Sequence, residues 1–307
     1  GVFTNTGHDH LDFHGSFSDY LATKASFFEN LGTIPDSRKN GEEARISIIN
    51  VDDPNSGFIL SKTHTQVLTY GISDASASIT AKEIRLCGKT TSFVASTPHA
   101  SFPVSLNLKG IFNVYNALAA IACGLAKGLD PDTISSGLRS LNWLPGRFEA
   151  VDEGQPFSVI VDYAHTPDSL ESVLREARRL GSGCLTVVFG CGGDRDRSKR
   201  PAMGKIAATL ADRVIVTTDN PRTEEPYDIC KEIEKGILQV GRPRLGYEII
   251  LDRASAIQSA IFSAQEGDVL IIAGKGHETY QIFRDTTIHF DDREVAKSLL
   301  RERMENA

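Results

Sequence analysis

Four short runs in the second half of this chain are apolar at nearly every position: Val159-Ile160-Val161, Leu185 to Phe189, Val214-Ile215-Val216 and Val269 to Ala273. A strand with one wet face alternates apolar and polar residues, whereas a strand apolar throughout has both faces covered. Between the runs lie helical patterns. Leu170, Val173, Leu174 and Ala177 share one helical face, and Met203, Ile206, Ala207 and Leu210 share another. Pro167 and Pro201 stand where a first helical turn tolerates proline. From Phe148 onward this alternation predicts a Rossmann-like α/β domain built on a parallel sheet.

The residues that follow these runs are polar in a consistent way. The run at Val214 leads through Thr217-Thr218 into Asp219-Asn220-Pro221-Arg222, and the run at Val159 leads into Asp162-Tyr163-Ala164-His165-Thr166-Pro167. Leu185 to Phe189 ends in Gly190-Cys191-Gly192-Gly193-Asp194-Arg195-Asp196, and Val269 to Ala273 ends in Gly274-Lys275-Gly276-His277-Glu278. Ligands of open α/β sheets bind outside the carboxyl ends of the strands, so these ends predict one polar cleft at one rim. Arg222 can grip a carboxylate through two parallel N–H bonds, Asp219 can take an ammonium, and Asn220 offers both donors and acceptors. Taken alone, the Asp-Asn-Pro run also reads as a turn that starts the next helix.

The first half is mixed. A helix is expected from Phe17 to about Leu31, a strand from Ile46 to Val51, and a β-rich stretch from Gln66 to Leu108. Helices follow near Val114 to Ala126 and from Pro131 to Leu141, and the Leu144-Pro145-Gly146 kink marks the expected boundary between domains 1–145 and 146–307. With 307 residues the chain is long enough for two cores. A net charge of -7 argues against nucleic acid, which needs a basic footprint. No apolar run approaches the roughly 20 residues that span a membrane, so a membrane partner is not expected. Five cysteines without Cys-x-x-Cys spacing fit buried thiols in a reducing cytoplasm better than disulfides or zinc. Cys191 in the glycine loop invites a nucleophile reading, but no base is spaced near it, and a small buried loop residue is the favoured one.

In the expected first helix, Phe17, Leu21, Lys24, Phe28 and Leu31 recur at spacings of four, three, four and three. Lys24 is the odd member of that stripe. Burial disfavours the charged form of an amine, and a neutral amine is a nucleophile; the alternative is a lysine stem lying on the apolar face with its ammonium in water.

Together these motifs resemble the Mur ligases, most closely those adding meso-diaminopimelate to UDP-N-acetylmuramoyl-L-alanyl-D-glutamate. The resemblance also covers Asn5 to His14, the Asn113/Asn116 segment and Leu144 to Glu149. Ser198 stands where the family pattern has Gly, and Thr6-Gly7-His8 replaces a more usual Leu-Ser-Arg. The resemblance implies the C-terminal part of a Mur-ligase ATPase domain followed by a Rossmann-like amino-acid-binding domain. It implies ATP as substrate and Mg2+ as cofactor, with His10 and a carbamylated Lys24 as metal ligands. Asn5, Asn116, Arg147, Asp162 and His165 would serve ATP, and Arg195, Asp219, Asn220, Arg222, Gly274 and Glu278 would hold the incoming amino acid. No protein partner is implied.

The family also has an N-terminal uridine-nucleotide domain and a glycine-rich phosphate loop, and this sequence begins downstream of both. Its only Gly-Lys-Thr, Gly88-Lys89-Thr90, has Glu83 where the phosphate-loop pattern needs Gly. The expectation is a ligase piece that does not turn over ATP alone; the alternative is a non-catalytic binding or scaffold module.

Overall fold

The computed structural model describes residues 1–7, 14–33, 45–87, 90–241 and 243–306. The chain divides into two compact units between Trp143 and Leu144.

The first unit is built on a six-stranded sheet of β1 (Val2–Phe3), β2 (Ile46–Asn50), β3 (Gln66–Gly71), β4 (Ile79–Cys87), β5 (Thr90–Ser96) and β6 (Ser101–Leu106), paired in that order. β1 to β4 run parallel, with Val2 beside Ile48 and Ile48 beside Leu68; β4, β5 and β6 are antiparallel. Antiparallel strands with one wet face should alternate, and β6 does so along its whole length, burying Phe102, Val104 and Leu106. Thr90 opens β5, so no helix start follows the Gly-Lys-Thr run; Gly88 and Lys89 lie outside the described residues.

Helices cover both faces of this sheet. α1 (Phe17–Thr33) and α2 (Ser56–Lys62) press Ala25, Phe28 and Ile59 onto Phe3 and Ile49. α3 (Ile111–Ala126) buries Val114, Leu118, Ile121 and Ala122 against Tyr70, Ile79, Phe93 and Val104. α4 (Pro131–Ser140) adds Ile134 and starts on an Asp130 cap that accepts the Thr133 N–H at 2.9 Å.

The second unit has the expected parallel sheet. Its strands are β7 (Glu149–Val151), β8 (Ser158–Asp162), β9 (Leu185–Phe189), β10 (Arg213–Val216), β11 (Tyr247–Ile249) and β12 (Val269–Ala273), in the spatial order β11-β10-β9-β12-β8-β7. Only β7 is antiparallel to its neighbour. On one face Val159, Val161, Val188, Ile215, Leu270 and Ile272 pack under α8 (Arg253–Ser263) and α9 (Asp292–Glu305). The residues of opposite parity, Ile160, Val187, Val214, Val216 and Ile271, are as deeply buried, so helices cover both sides. α5 (Pro167–Ala177), α6 (Lys199–Leu210) and α7 (Pro226–Val240) supply that cover with Leu170, Leu174, Met203, Ala207, Ile233 and Ile237. A small antiparallel ribbon, β13 (Tyr280–Ile282) with β14 (Thr287–His289), follows β12. Among the described residues no helix is long and apolar enough to cross a membrane.

This topology sends the carboxyl ends of β8, β9, β10 and β12 to the same rim, and the four polar loops with them.

Candidate functional site

The rim is braced from below by Arg253. Its guanidinium has no exposure, forks onto Asp292 at 2.7 and 2.8 Å, and donates to Thr218 O beyond β10 and to Ala273 O at the end of β12. A buried charge is tolerated when it is paired and hydrogen-bonded in this way. Just above it, Asp219 and Asn220 are buried, and their loop is held by Gln281, whose Nε2 donates to Asp219 O at 2.8 Å.

Asn220 is the centre of a closed set of bonds. Its Nδ2 donates to Glu278 Oε2 at 2.8 Å, while its Oδ1 accepts from Ile282 N at 3.0 Å and from Lys275 Nζ at 3.1 Å. Asp219 is different. Its Oδ1 accepts the N–H of Asn220, but its buried Oδ2 has no hydrogen-bond partner. That oxygen would lie 2.6 Å from any Cβ added to Gly274, whose φ of +113° already favours glycine, so the site is shaped for close approach of backbone to carboxylate.

The two arginines flank the glycine loop after β9. Arg222 has a left-handed φ of 53°, donates its backbone N–H to Ile282 O, and places Nη1 2.6 Å from Gly193 O. A Cβ on Gly193 would fall 1.9 Å from Pro221 O, so glycine is what lets the two loops touch. Arg195 is exposed, and a Cβ added to Gly192 would meet both its Cγ at 3.7 Å and Arg222 Nη1 at 3.0 Å. Cys191, in the same loop, is buried beside Met203, and burial pushes its thiol up to about 12, which keeps it protonated and unreactive.

At the end of β8 a second group forms. Tyr163 carries the Arg147 guanidinium over its ring at 4.8 Å and meets His165 at 4.5 Å and His277 at 5.0 Å between ring centres. Asp162, expected to serve the nucleotide, turns inward: its carboxylate accepts the N–H groups of Phe148 and Ala164 at 2.7 and 2.8 Å. Burial nevertheless raises its pKa above the ordinary carboxylate value.

In the first unit, Asn5 is exposed, and Asn116 sits exposed on the first turns of α3 with its Nδ2 on Asn113 Oδ1. Lys24 is half-buried, its Nζ 4.9 Å above the Tyr20 ring. The stripe expected from spacing is buried or half-buried throughout; Tyr20 and Ala25 widen the buried face, and Lys24 falls between Tyr20 and Phe28 around the helix. His10 lies outside the described residues. Asp52 and Asp53, at the end of β2, were not singled out from the sequence although an acid pair after an apolar strand is the same signal. Asp52 accepts three backbone N–H groups and the Tyr115 hydroxyl, which outweigh burial and lower its pKa; Tyr115 rises to about 12, mainly through burial. Asp53 binds Thr6 through backbone and side chain.

Residues 1–124 match the Mur ligase middle domain and residues 146–276 the Mur ligase glutamate ligase domain. The chain belongs to the Mur ligase family. It is 46% identical over 303 residues to the UDP-N-acetylmuramoyl-L-alanyl-D-glutamate-2,6-diaminopimelate ligase of Geobacillus kaustophilus, a match covering 98% of this chain and 60% of the relative. The ligase of the same name from Syntrophomonas wolfei is 47% identical over 300 residues, 98% of this chain and 59% of the relative. A solved structure titled with that ligase name is 34% identical, with a TM-score of 0.58 over 99% of this chain and 60% of that one. The chain thus spans about 60% of the length of the relatives it matches.

Mur ligases imply magnesium as well as ATP, and magnesium takes oxygen donors, usually one or two carboxylates together with substrate phosphates. Among the described residues no group of three His, Cys, Asp or Glu side chains could hold a metal, and the Lys24 ammonium is itself a cation. A carbamate on Lys24, an anionic oxygen donor, would suit magnesium. Of the residues this Mur ligase chain brings together, Lys275, Tyr163 and His277 were not assigned from the sequence. All three lie within the strand-end motifs, so the signal was present but did not separate them from their neighbours.

Proposed function

We propose that this chain forms part of an ATP-dependent amide-bond ligase that adds meso-diaminopimelate to UDP-N-acetylmuramoyl-L-alanyl-D-glutamate during synthesis of peptidoglycan precursors. The observation that carries the reading is the buried Asp219 Oδ2 without a hydrogen-bond partner, because a desolvated carboxylate oxygen calls for a cationic donor. Glu278 leaves its own Oε1 without a partner among the described residues, with Arg195 on the loop after β9 and Arg222 on the loop after β10. Two acceptors for ammonium groups beside two guanidinium groups for carboxylates match a diamino diacid in kind and number.

In this reading the D-glutamate side-chain carboxylate takes the terminal phosphoryl group of ATP, giving an acyl phosphate and ADP. One ammonium of diaminopimelate then gives up a proton to solvent and, as the neutral amine, attacks the acyl carbon; the C–O bond to phosphate breaks, and a second proton leaves the nitrogen to solvent as the amide forms. The rim residues act in the second step by holding the amino acid so that one amine faces the acyl carbon; orientation of this sort supplies a large share of the barrier reduction. Arg147, supported on Tyr163, and His165 offer cationic and hydrogen-bonding groups to the nucleotide. Magnesium, when bound, supplies neutralisation of phosphate charge.

The test is ligation by the complete ligase of which this chain forms part, given ATP, magnesium, the muramoyl dipeptide nucleotide and either meso-diaminopimelate or L-lysine, with ADP release and the nucleotide product followed together. Product formed with diaminopimelate and at least a hundredfold less with lysine is expected; equal use of the two removes the diaminopimelate assignment.

A further inference from the structure

Lys275 follows Gly274 at the end of β12, and its side chain has no solvent exposure. Its Nζ lies 3.0 Å from Glu278 Oε2 and 3.1 Å from Asn220 Oδ1, with the Tyr280 ring centre 5.6 Å away. The two partners are the ones proposed above to meet the amino acid. A side-chain carbonyl oxygen has two lone pairs, and those of Asn220 are filled by Lys275 and by the N–H of Ile282. The amide is therefore unable to exchange its oxygen and nitrogen without presenting –NH2 to two donors. With the amide fixed, Nδ2 faces Glu278, and Oε2 of that carboxylate accepts from both Asn220 and Lys275. Oε1 is left as the acceptor that makes no bond among the described residues.

We propose that Lys275 is a positioning residue for the incoming amino acid: it locks the Asn220 amide and the Glu278 carboxylate in one arrangement, so that Glu278 Oε1 receives a substrate ammonium. The inference rests on the diaminopimelate reading and deepens it. A lysine that merely balanced a buried acid would affect stability and every substrate alike. A positioning lysine acts on the amino acid alone and acts through Glu278.

The experiment is done in the complete ligase of which this chain forms part and compares the unmodified protein with Lys275→Met, Glu278→Gln and the double variant, measuring KM for diaminopimelate, for ATP and for the muramoyl dipeptide nucleotide, together with the unfolding midpoint of each. Lys275→Met should raise the diaminopimelate KM on the order of tenfold or more and leave the other two within about twofold, as loss of one charge-assisted contact predicts. In the Glu278→Gln background the same substitution should change the diaminopimelate KM by less than about threefold, since residues acting as a unit are not additive. Equal increases in all three KM values, or full additivity with Glu278→Gln, overturn the positioning role while leaving the ligase reading intact. If Lys275→Met does not fold, Lys275→Arg keeps the cation; an unchanged diaminopimelate KM supports the proposal provided that Glu278→Gln raises it, and an unchanged KM in both variants overturns it. An unmodified protein that ligates no diaminopimelate overturns both the reading and this inference.

Discussion

Arg200, without solvent exposure, grips both carboxylate oxygens of Glu224 at 2.7 and 2.8 Å. Glu224 also accepts the N–H of Asp194, and Asp194 in turn accepts the hydroxyl of Thr223. The loop bearing Arg195 and the loop bearing Arg222 are thereby tied together by charged hydrogen bonds. The Arg200 bond, reinforced by Asp194, lowers the Glu224 pKa to about 2 from 4.5. A depressed carboxylate stabilises the fold above its unfolded pKa and ceases to do so as pH falls through its folded one. Urea midpoints should therefore decline between about pH 4.5 and pH 2, and Glu224→Gln should flatten that decline. Arg200→Met, which leaves Glu224 without its cation while Glu232 keeps Arg197, should cost about 3–5 kcal/mol at neutral pH. A loss under about 1 kcal/mol would make the pairing incidental.

Arg222 is the guanidinium expected to meet the carboxylate that distinguishes diaminopimelate from lysine. A site built around a polar partner rejects an analogue lacking it by roughly 10⁴ in favourable cases. Arg222→Ala should lower the kcat/KM ratio of diaminopimelate to lysine by at least tenfold, in competition assays with both amino acids. An unchanged ratio would assign Arg222 to the Gly193 carbonyl alone.

Gly274→Ala tests the unpartnered Asp219 oxygen. The added methyl carbon would come within 2.6 Å of Oδ2, at a backbone angle that L residues rarely adopt. Displacement of a positioned group by about 1 Å costs on the order of 100-fold, so kcat/KM for the amino acid should fall by that factor. Activity within about threefold of the unmodified protein, with the fold intact by circular dichroism, would remove Asp219 from the site.

Lys24→Ala tests the carbamate. If an anion on Lys24 serves the reaction, the alanine variant should lose most activity and regain part of it in the presence of acetate or formate, which restore a carboxylate to the vacated space. Full activity without added acid would leave Lys24 only its contact with Tyr20.

The parallel sheet was legible because its strands are short runs apolar on both faces, unlike wet strands, and are set between longer helical patterns. The polar rim was legible because topology sends those strand ends to one side. What each rim acid does was not: Asp162 and Asp219 both end apolar strands, yet one caps backbone N–H groups and the other keeps an oxygen unpaired. That difference depends on which loop arrives from elsewhere in the chain. In α1 the stripe Phe17, Leu21, Lys24, Phe28 and Leu31 is buried or half-buried as its spacing implies, and contact with Phe3, Ile49 and Ile59 adds what spacing does not give: Ala25 joins the buried face while Phe27 stays exposed.

The place of β12 between β8 and β9 bears on how the second unit is made. During synthesis from the N-terminus, β8, β9, β10 and β11 all emerge before the strand that joins them, so β8 and β9 wait with open hydrogen-bonding edges and no common neighbour. Loop closure across that much chain is slow, and unpaired apolar edges invite association with other chains. Insertion of Val269 to Ala273 is then the late event that closes the sheet and, in the same movement, delivers Gly274 and Lys275 to the rim.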